Sequence, residues 1–164
     1  MRFWTVAVLC TLATEAAAKD NSVHTLGFGY STQFGGPGLG SNLSFKAALR
    51  PTLELQGLFG FSVQDAGGGQ GGPTNLYVST GAKLLFILVP HDNLNFYVTA
   101  GAGVSFGTPG FGTVSYFFGP GVEFFFSGLE NLGFFGEFGL GGTHRGQPFL
   151  STSGAAFLGV HYYF

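Results

Sequence analysis

Charge is scarce in this chain of 164 residues, where Asp, Glu, Lys and Arg together make up 9%. Six basic and eight acidic residues leave a formal net charge of −2, so the basic face needed for nucleic-acid binding is missing. Cysteine, methionine and tryptophan occur once each, as Cys10, Met1 and Trp4, all within the first ten residues. The rest of the chain therefore has no disulfide, no thiol nucleophile and no cysteine-bound zinc. Long apolar runs are also missing. The longest beyond the N-terminus is Leu84–Pro90, far short of the ~20 residues of a transmembrane helix.

Glycine and phenylalanine are abundant instead, with 30 Gly, 21 Phe and an aromatic content of 17%. Mean hydropathy is +0.34. Glycine costs about 1 kcal/mol per helical position relative to alanine, so a helical protein is disfavoured. The glycines have no period of three, which excludes a collagen-like chain. High hydrophobicity with little net charge is the opposite of a disordered composition. So much Phe must be buried, in a core or in lipid.

Residues 1–18 read as a secretory signal peptide. Arg2 supplies a short positive start, Phe3–Ala13 an apolar stretch too short to span a bilayer, and Ala16-Ala17-Ala18 an A-x-A cleavage pattern. Residues 19–164 are expected to form one domain. Within it the dominant signal is a period of two, the signature of β-strands. Eight segments carry it: 23–34, 42–49, 52–63, 75–88, 94–106, 113–126, 132–141 and 150–164. In the segment from Leu94, Phe96, Val98, Ala100, Ala102 and Val104 alternate with Asn95, Tyr97, Thr99, Gly101 and Gly103. In the last segment, Leu158, Val160, Tyr162 and Phe164 alternate with Ser153, Ala155, Gly159 and His161.

One face of every segment is apolar and aromatic, and the other is rich in glycine and small polar residues. Two such sheets would pack poorly as a sandwich. In a membrane barrel the apolar face meets lipid and the small, polar face lines the lumen. Each segment is close to the ~9–11 residues with which a tilted strand crosses a bilayer. Tight joints at Pro51, Pro90–Asn93 and Ser127–Asn131 alternate with mostly longer Gly- and Pro-rich connectors. The expected fold is all-β, an eight-stranded antiparallel up-and-down transmembrane barrel. Tyr30, Phe34, Phe86, Phe96, Tyr116, Phe126, Tyr162 and Phe164 lie near strand ends, where they would form interfacial girdles.

With Asn95–Val104 and the C-terminal run Leu158–Phe164, the chain resembles small eight-stranded outer-membrane barrels of the OmpA/OmpX type. The resemblance covers about all of residues 19–164. It implies residence in the bacterial outer membrane, contact with outer-membrane lipid and lipopolysaccharide, and a monomeric barrel. It also implies that Val160, Tyr162 and the terminal Phe164 form the signal read by the outer-membrane assembly machinery.

The expected lumen face carries Lys46, Arg50, Glu54, Lys83, Glu123 and Glu137, three bases and three acids. Buried charge is tolerable only when paired, so these six are expected to form an ion-pair network that plugs the lumen. Gly101, Gly103, Gly139 and Gly141 are expected to leave the outer half thinly filled. That would make a cup, or a narrow pore, for a small solute or apolar ligand. Packing of Phe117 or Phe157 into the space would remove it.

No catalytic, cofactor or metal site emerges. His24, His91, His144 and His161 are scattered without metal-ligand spacing. Lipid A-modifying barrels share this size and location. Their deacylases carry His-x-Ser on a strand, whereas the four histidines here are followed two residues on by Leu26, Asn93, Gly146 and Tyr163. A non-enzymatic barrel with a structural or interaction role is the expectation, and a lipid-modifying enzyme the most distant alternative.

Overall fold

A computed structural model describes residues 26–34, 40–65, 74–91, 93–107, 112–144 and 150–164. The expected signal peptide and most of the longer connectors lie outside the described residues. The rest form eight strands: β1 (Leu26–Phe34), β2 (Ser41–Arg50), β3 (Leu53–Asp65), β4 (Thr74–His91), β5 (Leu94–Gly107), β6 (Thr113–Phe126), β7 (Leu129–His144) and β8 (Leu150–Tyr163). Each pairs antiparallel with its neighbours in sequence, and β1 pairs with β8 to close the barrel. Closure leaves no strand edge, as a bilayer demands, because lipid offers no partner for a free N–H or C=O.

The short connections share one end of the barrel with the start of β1 and the end of β8. Pro51-Thr52 joins β2 to β3, residues 92–93 join β4 to β5, and Ser127-Gly128 joins β6 to β7. The joint expected over Ser127–Asn131 is thus shorter, because Leu129 already pairs with Phe126. Gly128 has φ +84°, a conformation that any side chain would strain. All three interior register shifts also lie at this end, at Ala48/Arg50, Ile87/Val89 and Phe125/Phe126. A shift of one residue turns side chains to the other face. Beyond the shift in β4, Leu88 and Val89 both point outward.

The outer surface is apolar on every strand. Phe28, Phe45, Phe59, Phe86, Phe96, Phe118, Phe138 and Leu158 are all exposed, Phe138 to 67%. A water-soluble protein does not expose a continuous apolar surface of this extent, but a lipid-facing barrel requires one. Exposed aromatics crowd the short-turn rim. Phe126 meets Phe124 and Phe134 edge-on at centroid distances of 4.8 and 5.5 Å, and Tyr162 meets Phe164 at 5.2 Å. Tyr30, Phe34, Phe86 and Phe96 are exposed as well, as the girdle reading expected.

Inside, a barrel of eight strands is only wide enough for side chains to fill it. Glycine follows from that crowding. A Cβ on Gly27 would stand 3.0 Å from the Tyr163 ring, and one on Gly133 2.8 Å from the Glu123 carboxylate. Gly119 and Gly139 face each other across β6 and β7, where a Cβ on either would lie 2.7 Å from the other's Cα. The β6–β7 ladder passes from Phe118↔Leu140 to Gly121↔Glu137 around Pro120, which has no N–H to give. On the outer face Gly154 has open space around it.

Gly119→Ala is expected to lower folding stability by about 1–3 kcal/mol, since the neighbouring backbone must move to admit the methyl group. Gly154→Ala should leave it unchanged. Urea unfolding of the barrel in detergent micelles, followed by the heat-modifiable shift on SDS gels, checks both.

Candidate functional site: a buried charge network in the lumen

Strand alternation sends Lys46 (β2), Glu54 (β3), Lys83 (β4), Glu123 (β6) and Glu137 (β7) into the barrel, and all five are buried. They form two clusters in the half nearer the short turns. In the first, Lys46 Nζ lies 2.9 Å from Glu123 Oε2 and 3.5 Å from Glu54 Oε2. The Tyr163 hydroxyl donates to Glu123 Oε1 at 2.6 Å. In the second, Lys83 Nζ donates to Glu137 Oε2 at 2.5 Å, and the Tyr97 hydroxyl donates to Glu137 Oε1 at 3.1 Å. Both ammonium groups also face aromatic rings. Lys83 Nζ sits 3.5 Å from the Phe157 centroid, and Lys46 Nζ 5.5 Å from those of Tyr97 and Phe135.

Arg50, expected in this network, is not part of it. The register shift between Ala48 and Arg50 sets Arg50 opposite Leu53 instead of a lumen residue, and its side chain is exposed. Strict alternation along β2 would have pointed it inward; the bulge reverses its face.

His161 is the functional group that sequence reasoning passed over. It is fully buried, and its ring stacks on Phe135 at 4.8 Å with an interplanar angle of 19°. Nε2 lies 2.7 Å from Ser44 Oγ, and Nδ1 lies 3.5 Å from Glu123 Oε1. Gln56 Nε2 donates to the same Ser44 oxygen at 2.7 Å. The period-two pattern did place His161 on the lumen face. Its partners lie 117 and 38 residues away in sequence, so no local motif announced them.

Hydroxyl, imidazole and carboxylate in this order resemble the arrangement that activates a serine nucleophile. The surroundings do not suit that chemistry. Ser44 and His161 have no exposed surface, and the equally buried Gln56 donates a hydrogen bond to Ser44 Oγ. Glu123 is held by Lys46 and Tyr163.

The charges adjoin an apolar cluster. Phe117, Phe135, Ala155 and Phe157 form a buried cluster, with Phe117 and Phe157 edge-to-face at 4.7 Å. The cup expected there is therefore largely occupied. A cavity of only about 20 Å³ remains, and Gly101, Gly103 and Gly141 are among the residues that line it. Gly139 does not, because it backs onto Phe118 and Gly119. Toward the loop end the lining turns polar again, with Ser79 donating to Asn42, which donates to the Gly40 carbonyl. Among the described residues no group of three or more His, Cys, Asp or Glu is arranged to hold a metal ion.

Fold and surface together define the class: a small eight-stranded transmembrane β-barrel with an OmpA/OmpX-type fold. Among solved structures, the N-terminal β-barrel domain of Pseudomonas aeruginosa OprF is similar at 18% identity, covering 86% of this chain and 98% of that one with a TM-score of 0.53. The Yersinia pestis outer membrane protein Ail in a phospholipid nanodisc is similar at 15% identity, covering 86% and 99%, with a TM-score of 0.51. No family model matches the sequence, and no curated protein matches it significantly.

Removing one member of a buried pair strands the other. Lys46→Met is expected to cost about 3–5 kcal/mol of folding stability, and Glu123→Gln a similar amount. The double variant should recover part of that loss, because neither charge is then left alone. Arg50→Ala should leave stability unchanged. Denaturant midpoints for the four proteins, read as a double-mutant cycle, check this.

Proposed function

We propose that the protein is a closed, non-catalytic outer-membrane barrel with a structural or interaction role, its lumen plugged by the paired charges and the aromatic cluster beside them. The observation that carries this reading is that paired charges and aromatic rings together fill one narrow lumen. Lys46 and Lys83 are ion-paired, and Lys83 Nζ lies 3.5 Å from the ring centre of Phe157, which packs edge-to-face on Phe117. An ion passing through would have to displace a buried, charge-assisted hydrogen bond and then cross an apolar constriction, each unfavourable in a low dielectric. The enclosed Ser44 supports the absence of hydrolase activity.

The contacts of such a barrel are then made by its outside. Its apolar belt meets lipid, and its rim meets lipopolysaccharide on the outer leaflet. Val160, Tyr162 and Phe164 on the last strand are what the assembly machinery would read; Tyr162 and Phe164 are exposed at the short-turn rim. The protein acts as a monomer, because the ladder is already closed and offers no edge for a second copy.

In planar bilayers the purified barrel is expected to give no unitary conductance steps. Lipid A from cells with and without the protein should have the same mass spectrum. Steady conductance that Glu123→Gln or Glu137→Gln alters would establish the narrow-pore alternative, and a lost acyl chain the enzymatic one.

A further inference from the structure

The buried charges do not balance. Among the described residues, Glu54, Glu123 and Glu137 face only Lys46 and Lys83 inside the barrel. Arg50, which would even the count, is on the outer surface. The one other basic side chain buried among the described lumen groups is His161. It touches Ser44 of β2, Glu123 of β6, Phe135 of β7 and Tyr163 of β8; Gln56 of β3 lies behind Ser44, and Lys46 of β2 links Glu123 to Glu54 of β3. Lys83 of β4, Tyr97 of β5 and Glu137 of β7 complete the network.

Two buried atoms at this place have no hydrogen-bond partner: Nδ1 of His161 and Oε1 of Gln56. They mark where the network has a second arrangement. As it stands, Gln56 Nε2 donates to Ser44 Oγ, so the Ser44 hydroxyl donates to His161 Nε2. The imidazole is then neutral, with its proton on Nδ1 toward Glu123. Half a turn of the Gln56 amide reverses the chain. Oε1 then accepts from the Ser44 hydroxyl, and Ser44 Oγ accepts from a protonated Nε2. The amide's shape is nearly unchanged by that turn, and both arrangements use the same heavy-atom positions.

We propose that Gln56, Ser44 and His161 form a reversible relay through which the lumen network takes up one proton, making His161 its third cation without opening the barrel. The proton comes from solution and ends on Nε2; no other bond is made or broken. Uptake brings the five charges to neutrality with the imidazolium beside Glu123. Gln56 is what makes this tolerable. The protein partners of the fully buried Ser44 hydroxyl are His161 and Gln56, so an imidazolium donating from Nε2 leaves the Gln56 amide oxygen to accept the serine proton. The inference does not depend on whether the barrel conducts or what it contacts.

The test is side-chain nitrogen NMR of the isotope-labelled full barrel in nanodiscs, from about pH 8 to about pH 5, the range in which imidazoles titrate. The His161 Nε2 resonance should move from the acceptor to the protonated range, and the Gln56 amide resonances should change with the same midpoint. The heat-modifiable gel shift should be retained throughout. In Gln56→Met the barrel should lose that shift at a lower temperature on acidification, and His161→Gln should abolish the pH dependence of the Gln56 amide resonances. An Nε2 that stays an acceptor down to pH 5 would overturn the proposal. So would a His161 titration that leaves the Gln56 amide unchanged. The wild-type spectra decide the matter even if Gln56→Met does not fold.

Discussion

The pairing of β1 with β8 is the contact on which the rest of this structure depends. In lipid, an unpaired N–H or C=O costs several kcal/mol, so a membrane sheet has to close on itself. With eight strands, closure leaves an interior that side chains alone must fill. Both unusual features of the chain follow. Large apolar residues go outward because lipid is there to receive them, and small ones go inward because the space is short. Where neighbouring backbones crowd together, as at Gly119 and Gly139, even a methyl group does not fit.

The same confinement dictates how charge is handled. Lys46, Lys83, Glu54, Glu123 and Glu137 cannot reach bulk water and must meet one another. A buried ion pair is weak evidence for stability, because its desolvation offsets much of the attraction. Its value here is in shape. The pairs, the two tyrosine hydroxyls that cap them and the aromatic rings over both ammonium groups fill the narrow lumen, and on the proposed reading they plug it. They also explain why so few charges are present: each one inside needs a partner, and each one on the belt would face lipid.

Much of this was legible in residue order. Alternation in Leu94–Val104 and Leu158–Phe164 identified strands and assigned their faces, because a strand's side chains have a period of two whatever surrounds it. The five buried charges were recognisable for the same reason. Arg50 was misplaced because a bulge breaks the period, and nothing in Ala48-Leu49-Arg50 announces one. The outer half of the lumen was judged emptier than it is because glycine count was read as space. Phe117 and Phe157, from β6 and β8, meet across that space, and a residue list does not say how far large rings reach across a lumen.

What the sequence determined by itself was therefore what depends on neighbours along the chain: strands, their two faces, the membrane as solvent, and the inward direction of five of the six charges expected in the lumen. The tertiary structure alone decided who meets whom. Ser44, Gln56, Glu123 and His161 come from four strands, and only closure of the β1–β8 seam and the stagger of its register bring them within hydrogen-bonding distance. The imidazole that looked idle in the sequence thus became, among the described residues, the third buried basic group beside three buried carboxylates.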